Sequence, residues 1–393
     1  MTIKETIKKF IPKFLFNIYH YKMALLGAVI FGFPGKSKKI KIIGVTGTSG
    51  KSTTVDFITR ILEESGQKTA SVSSIRFKIG EKEWKNELKM TMPGRFKLQK
   101  FLKQAKKSGC KYAVLEVTSQ GIKQYRHKFI NFKTAVFINL SPEHIESHGG
   151  FENYRKAKLK LFKVAKNTHI VNLDDSNSEH FLKTIAEEKW GYGFKGIDLR
   201  LPDSNLKTVF ADNILESANV LKFSIENTEF NLNFLGRFNV YNALAAICVG
   251  LSEGVSLALC KTALEKAKGI AGRMEAVVEK PFTIIVDYAH TPEQLEAVYK
   301  SLQEKPLICV LGSCGGGRDK WKRPILGRIA KDYCKEVIIT NEDPYDEDPM
   351  KIIEDVAEGA NGKAQKILDR REAIRTALKL ATAYDTVVIT GKG

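Results

Sequence analysis

Apolar and polar positions follow two different periods along this chain, and the change of period divides it. At the start, Ile3, Ile7, Phe10, Ile11, Phe14, Leu15 and Ile18 recur at helical spacing, with Lys4, Lys8, Lys9 and Lys13 among them. Pro12 interrupts the repeat, which predicts two short helices or one kinked helix. From Lys41 short apolar runs take over. Lys41–Thr46, Tyr112–Val117, Thr134–Ile138 and His169–Leu173 read as buried strands, and Lys51–Ser65 as a helix with Phe57, Ile58 and Ile61 on one face. Leu206–Phe234 has the alternation of a hairpin, turning at Glu226-Asn227, and helices follow from about Asn239 to Lys268. A second alternating unit starts near Glu275. Its strands are Thr283–Val286, Leu307–Leu311, Glu336–Thr340 and Thr386–Thr390, with helices beginning near Pro292, Arg323, Pro349 and Arg370. Strands separated in this way by helices predict an α/β protein with mostly parallel sheets covered on both faces.

Composition narrows the class. With 393 residues, 43 % of them hydrophobic, the chain can build two or three domains with real cores. The net charge of +19 is compatible with nucleic acid, a membrane surface or an anionic small substrate. The first forty residues carry eight lysines and one glutamate, and the remaining excess is spread thinly. That spread argues against nucleic acid, which calls for a concentrated basic stripe with interleaved aromatics. Residues 1–40 therefore read either as a helix docked on the next domain or as a basic amphipathic segment at a membrane surface. The six cysteines form no CxxC pair, which excludes the common zinc and disulfide frameworks and fits reduced thiols in a cytoplasmic protein. The longest apolar candidate, Met23–Phe33, has 11 residues, too few to span a bilayer.

Chemistry enters at Gly44-Val-Thr-Gly-Thr-Ser-Gly-Lys-Ser-Thr53, which comes after a strand and opens a helix. Gly47 and Gly50 allow a tight turn whose N–H groups point at phosphate oxygens, with Thr48, Ser49 and Thr53 completing the loop. Lys51 can neutralise the β/γ-phosphates and the Ser52 hydroxyl can reach Mg²⁺. The spacing predicts a phosphate-loop central domain over residues 41–275 and a Rossmann-like α/β domain over 276–393.

The spelling Thr46-Gly-Thr-Ser-Gly-Lys-Ser-Thr53 resembles the phosphate loop of the Mur ligases, ATP-dependent amide-forming enzymes of peptidoglycan precursor synthesis, and the match continues in order to the end of the chain. Leu115-Glu-Val-Thr-Ser-Gln-Gly-Ile122 resembles a segment whose acid, here Glu116, is a magnesium ligand. Asn139-Leu-Ser-Pro-Glu-His-Ile-Glu-Ser-His-Gly149 resembles a motif whose first histidine, His144, helps hold a second magnesium, with Glu143 and Glu146 where the family has aspartates. Tyr154-Arg-Lys-Ala-Lys-Leu-Lys-Leu-Phe162 resembles a helix whose lysine, Lys158, is carbamylated, so that it becomes a metal-positioning anion. The resemblance thus implies two Mg²⁺ with Ser52, Glu116, His144 and Lys158 around them. It also places Asn239, Asn242, Arg273 and Asp287 at ATP, and carries Arg318, Lys320 and Arg323 toward an anion.

Within the family the tripeptide-forming ligases are the nearest in spelling. Thr91, Thr118, Gln124 and Arg126 fall where these hold the muramoyl-dipeptide, and Asp343 where they hold the incoming amino acid. Their diaminopimelate-gripping arginine is absent from Glu342-Asp343-Pro344-Tyr345, which shifts the expectation toward lysine or another amino acid. Gln120 stands where the family has histidine, and Gly391-Lys-Gly393 matches only part of a closing motif. The basic forty-residue segment occupies the place of the family's uridine-nucleotide domain. The implied protein is a monomeric enzyme acting on a muramoyl-peptide and an amino acid. Acceptors of the folylpolyglutamate or lipid-linked kind, and a non-catalytic nucleotide-binding homologue, remain the alternatives.

Overall fold

The computed structural model describes residues 13–88, 90–196, 205–217 and 220–392. The chain forms two compact units. The first takes the residues up to Leu140, then Glu152–Asn233 and Phe238–Ala267; the second takes Ser141–Phe151, Phe234–Arg237 and everything from Lys268.

In the first unit an eleven-stranded sheet is centred on β1 (Lys41–Thr46), whose apolar residues are buried on both faces. Chain order then adds α2 (Lys51–Glu64), preceded by α1 (Lys13–Phe31), and the strands β2 (Thr69–Val72), β3 (Arg76–Ile79) and β4 (Lys82–Lys85). Next come α3 (Arg95–Lys107), β5 (Tyr112–Glu116), α4 (Ser119–Lys123) and β6 (Phe132–Phe137). After α5 (Ile145–His148), which belongs to the second unit, stand α6 (Phe151–Val164), β7 (Thr168–Asn172), α7 (Ser178–Leu182) and β8 (Glu188–Phe194). The antiparallel extension β9 (Lys207–Ser217), β10 (Val220–Ile225) and β11 (Thr228–Leu232) leads into α8 (Phe238–Ser252) and α9 (Leu257–Glu265). The sheet order is β11-β10-β9-β8-β7-β6-β1-β5-β2-β3-β4. β1 pairs in parallel with both β5 and β6, so the winding reverses beside it and a crevice opens at the strands' C-terminal ends. Helix α8 is buried through most of its length because it is apolar all round.

The second unit carries β12 (Glu275–Val278), β13 (Thr283–Asp287), α10 (Pro292–Leu302), β14 (Leu307–Leu311), α11 (Lys322–Tyr333) and β15 (Glu336–Thr340). It closes with α12 (Pro349–Ala360), β16 (Ala364–Ile367), α13 (Arg370–Leu380) and β17 (Thr386–Thr390). Its six strands run in the order β12-β13-β17-β14-β15-β16, parallel apart from β12. Ile308, Val310, Ile338 and Val387 form its core with Ala373 and Ala377 of α13.

The predicted strands are present to within a residue or two. Strands β2, β3, β4, β8, β12 and β16 were not expected; the edge strand β4, Lys-Glu-Trp-Lys, has every residue exposed and gives no apolar run. The predicted repeat through Ile3, Ile7, Phe10, Ile11 and Pro12 lies outside the described residues. Beyond Pro12 the chain forms one helix, α1, whose second half is the Met23–Phe31 part of the apolar run. The cysteines are unpaired and all buried except Cys314, which is half-buried. Among the described residues no helix is long and apolar enough to cross a membrane.

Candidate active site

In the first unit, three strand ends meet at the phosphate loop. β1 delivers the loop itself, β5 ends on Glu116 opposite Val45, and β6 runs into Asn139. Gly50 ends the loop with φ +75°, and a Cβ there would collide with Asn242 Oδ1, so glycine is required on two counts. Asn139 supports the loop: its Oδ1 accepts the N–H of Thr48 (3.0 Å) and of Ser49 (2.9 Å), and its Nδ2 donates to Ser49 Oγ at 3.0 Å. The Thr48 hydroxyl pairs with Tyr154 Oη at 3.1 Å. Asn139 and Tyr154 both lie in the family motifs, but nothing in their spacing showed that they would brace the loop.

Glu116 is buried and accepts hydrogen bonds from Ser52 Oγ (2.8 Å) and Ser74 N–H (2.9 Å), with Lys51 Nζ 3.9 Å away. Lys51 also donates to the Thr48 carbonyl at 3.0 Å. A carboxylate, a serine hydroxyl and a lysine thus converge on one end of the loop. Lys158, from α6, is fully buried, donates to the Gly47 carbonyl at 2.6 Å and lies 4.6 Å from the centre of the Tyr154 ring. Burial, then the nearby Lys51, push its amine well below the usual lysine range, while Glu116 pulls the other way. A neutral amine is the form that reacts with carbon dioxide.

The donor set suits magnesium more than a caged metal. Among the described residues no group of three His, Cys, Asp or Glu side chains is placed to hold a metal ion by itself. Glu116 and Ser52 supply hard oxygens, and Mg²⁺ takes few protein ligands, filling its octahedron with phosphate and water. Lys158 fits beside such an ion as a carbamate, not as an ammonium.

Asn239 and Asn242 are both buried on α8. Asn242 Nδ2 donates to Asn239 Oδ1 at 2.8 Å, and Thr54 Oγ1 donates to Asn242 Oδ1 at 3.2 Å, which ties α8 to the start of α2. The residues expected at the acceptor also gather in this unit. Thr118 caps α4, its Oγ1 accepting from Gly121 N–H at 3.0 Å. Arg126 donates to Gln124 Oε1 at 2.7 and 3.1 Å and to the Met92 carbonyl, beside Thr91.

In the second unit, His144 has a left-handed backbone, φ 58°, and heads α5. Its segment is latched by Asp319, which accepts the N–H of Ile145 (3.1 Å) and of Glu146 (3.0 Å). Glu146 accepts the N–H of Lys320 at 2.9 Å, and the buried Glu143 pairs with Lys322 at 3.0 Å through both oxygens. The longer glutamate arms are thus taken up in holding this segment to residues 319–322. Arg273 lies over the Tyr288 ring, 4.5 Å from its centre. Asp287, at the end of β13, accepts the N–H of Met274 (2.8 Å) and of Ala289 (2.7 Å); burial pushes its carboxyl up and Arg273 opposes the shift. Arg318 is exposed on the loop after β14. Arg323 departs from the expectation that it reaches an anion. It is buried and spends its guanidinium on Glu347 and Asp355, each at 2.9 Å, bracing the acidic loop instead of facing a ligand. Lys320 pairs with Glu347 at 3.1 Å.

Asp343 pairs with Lys392 at 3.0 Å. Around it, three buried polar atoms have no hydrogen-bond partner: Ser313 Oγ, Glu342 Oε2 and Arg370 Nη1. They belong to the loops after β14 and β15 and to the first residue of α13. Glu342 and Asp343 both act electrostatically on Arg370, whose burial lowers its pKa. Buried polar atoms left open in this way point to a ligand or to ordered water.

The comparisons agree with this geometry. Residues 45–250 match the Mur ligase middle domain and residues 272–393 the Mur ligase glutamate ligase domain. The chain is 38 % identical to a UDP-N-acetylmuramoyl-L-alanyl-D-glutamate–2,6-diaminopimelate ligase of Syntrophomonas wolfei, over 94 % of this chain and 76 % of that protein. It is 36 % identical to a UDP-N-acetylmuramyl-tripeptide synthetase of a Roseiflexus species, over 94 % and 77 %. A Mycobacterium tuberculosis folylpolyglutamate synthase, 15 % identical, shares the fold with a TM-score of 0.75 over 94 % of this chain and 92 % of that one. A phosphate loop on a reversing parallel sheet, a second α/β unit and two family models spanning most of the sequence lead to one assignment: the chain belongs to the Mur ligase family.

Proposed function

We propose that this Mur ligase adds an amino acid to the carboxylate of a muramoyl-peptide in peptidoglycan precursor synthesis, as a cytoplasmic monomer. The observation that carries the reading is the convergence of Lys51, Ser52 and Glu116 at the phosphate loop. The acceptor carboxylate attacks the γ-phosphate of ATP and ADP leaves, giving an acyl phosphate. The amine of the amino acid then attacks the acyl carbon and phosphate leaves, closing the amide. Lys51 and the loop N–H groups stabilise the charge of phosphoryl transfer, joined by Arg273 and Arg318. Gly47, Thr48, Ser49, Gly50 and Thr53 line the phosphates, and Asn239, Asn242 and Asp287 serve the nucleotide site. Ser52, Glu116 and carbamylated Lys158 would hold one Mg²⁺ and His144 would help hold a second; the ions would offset phosphate charge.

Thr91, Thr118, Gln124 and Arg126 hold the acceptor. The amino acid's ammonium and carboxylate meet Glu342, Asp343 and Arg370. Arg370 meets the carboxylate beside the reacting amine, while Tyr345 leaves a second, distal carboxylate without a cation, which favours lysine or another amino acid over diaminopimelate. In this reading residues 41–275 are the ATP-binding domain and 276–393 the amino-acid domain, while residues 1–40 meet a membrane surface. The test is phosphate release by purified protein with ATP, Mg²⁺, muramoyl-dipeptide and an amino-acid panel. Release that depends on one amino acid and disappears in Lys51→Ala supports the reading. Tight ATP binding without amino-acid-dependent release for any acceptor overturns it in favour of a non-catalytic homologue.

A further inference from the structure

Helix α1 has apolar residues on both sides, but among the described residues the rest of its unit covers only one. Gly27, Ala24 and Ala28 are buried on the inner side, where a Cβ on Gly27 would rest 3.6 Å from the backbone of Arg95 and Phe96 in α3. Small residues there let the two helices approach closely. At 100° per residue, Leu15, Ile18, Tyr19, Leu26, Val29 and Ile30 fall within an arc of about 120° on the opposite side. Each of these six is 44 to 54 % exposed, and Tyr21 and Leu25 extend the patch along one flank. A contiguous apolar surface of this size marks a contact site.

Charge identifies the partner. Between Lys13 and Ile40 there are five lysines and no acidic residue. Helix α3, packed against α1, holds Arg95, Lys97, Lys100, Lys103, Lys106 and Lys107, again with no acid. Lys22 sits inside the apolar arc, Lys103 lies 5.8 Å from the Phe31 ring centre and Lys36 lies 5.1 Å from that of Phe33. An exposed apolar stripe with tyrosines and Lys22, on a helix pair whose only formal charges are cationic, matches an acyl boundary below anionic headgroups. A second copy of the chain would bring the same cations face to face with no acid to pair them. Since no described helix can span a bilayer, the fit is to its surface.

We infer that the outer face of α1, with the lysines of α3 beside it, docks this protein on an anionic lipid surface. The flank and inner side of the same helix touch the loop assigned above to the acceptor: Tyr21, on the flank, packs edge-on against Tyr125 at 6.1 Å, and His20 contacts Arg95, whose Nε donates to the Gln124 carbonyl at 2.9 Å. Docking therefore holds that loop at the bilayer, a consequence that rests on the acceptor assignment, whereas the docking itself does not.

The test is flotation of the full chain with vesicles, without ATP or acceptor. The protein floats with phosphatidylcholine vesicles containing about one-third phosphatidylglycerol and not with phosphatidylcholine alone. Binding falls steeply as salt rises to about 0.5 M. Leu26→Glu/Val29→Glu abolishes flotation, and Lys97→Glu/Lys100→Glu weakens it by at least about tenfold. All four positions are exposed, and unchanged circular-dichroism melts verify the fold. Three results would overturn the inference: no flotation with the anionic vesicles, flotation of Leu26→Glu/Val29→Glu equal to the parent, or a dimer by light scattering that this variant converts to monomer. Because no turnover is measured, a failed amino-acid panel leaves this result standing, and the reverse also holds.

Discussion

Glu116→Gln separates a metal ligand from a structural brace. Glu116 accepts two short hydrogen bonds, from Ser52 Oγ at 2.8 Å and from Ser74 N–H at 2.9 Å. A bond to a charged acceptor contributes about 1.5–3 kcal/mol and its neutral counterpart about 0.5–1.5 kcal/mol, so neutralising the acceptor costs roughly 1 kcal/mol per bond, or about 2 kcal/mol in all. Part of that returns, because a neutral amide is cheaper to bury than a carboxylate. A domain stable by about 5–15 kcal/mol stays overwhelmingly folded after such a loss. If Glu116 only braces the loop, phosphate release at saturating Mg²⁺ is nearly unchanged. If it holds Mg²⁺, the half-saturating Mg²⁺ concentration rises by at least about tenfold, since even outer-shell partners of a metal are worth that much. The assay is amino-acid-dependent phosphate release across a Mg²⁺ titration, beside a urea melt of the same variant. A lowered melt with an unshifted Mg²⁺ curve would refute the ligand assignment.

Four further outcomes are expected. Lys158→Met removes an amine whose pKa is lowered by burial, so between that lowered value and 10.5 the unfolded chain binds a proton that the folded chain sheds. The amine therefore costs stability at neutral pH, and the variant melts no lower than the parent while release drops by at least about a hundredfold; bicarbonate stimulates only the parent. Gly50→Ala forces a Cβ into Asn242 at φ +75°, and should lose at least about 1–2 kcal/mol in denaturant titration together with ATP binding. Arg370→Met should raise the amino-acid KM at least about tenfold and leave the ATP KM unchanged. His127 is held down to about 4 by burial, with Lys128 and Lys160 acting the same way. Its neutral form contributes fully above 6.5 and the contribution is lost as pH falls toward 4, about 3 kcal/mol in total. His127→Leu should flatten stability between these pH values, and an unchanged acid slope would count against the buried neutral imidazole.

By itself the sequence determined the local structure and the chemistry that local spacing can encode. Continuous apolar runs placed β1, β5, β6 and β7 of the first unit and β13, β14, β15 and β17 of the second, and a strand followed by Gly-rich residues, Lys51, Ser52 and a helix placed the phosphate loop. Segments without such signals, the exposed β4 above all, stayed hidden because their stability comes from an edge pairing instead of their own pattern. Tertiary structure alone decided which distant groups share a hydrogen bond. Asn139 holds the N–H of Ser49 across 90 positions because β1 and β6 are neighbours in the sheet. Asp319 latches Ile145 and Glu146 across more than 170 positions. Whether Arg323 faced a ligand or a carboxylate, which polar atoms at Ser313, Glu342 and Arg370 were left open, and which side of α1 stayed bare were likewise beyond any local pattern. Each depends on what the fold brings within about 3 Å or keeps away, and hydrogen-bond and desolvation energies are set at that range.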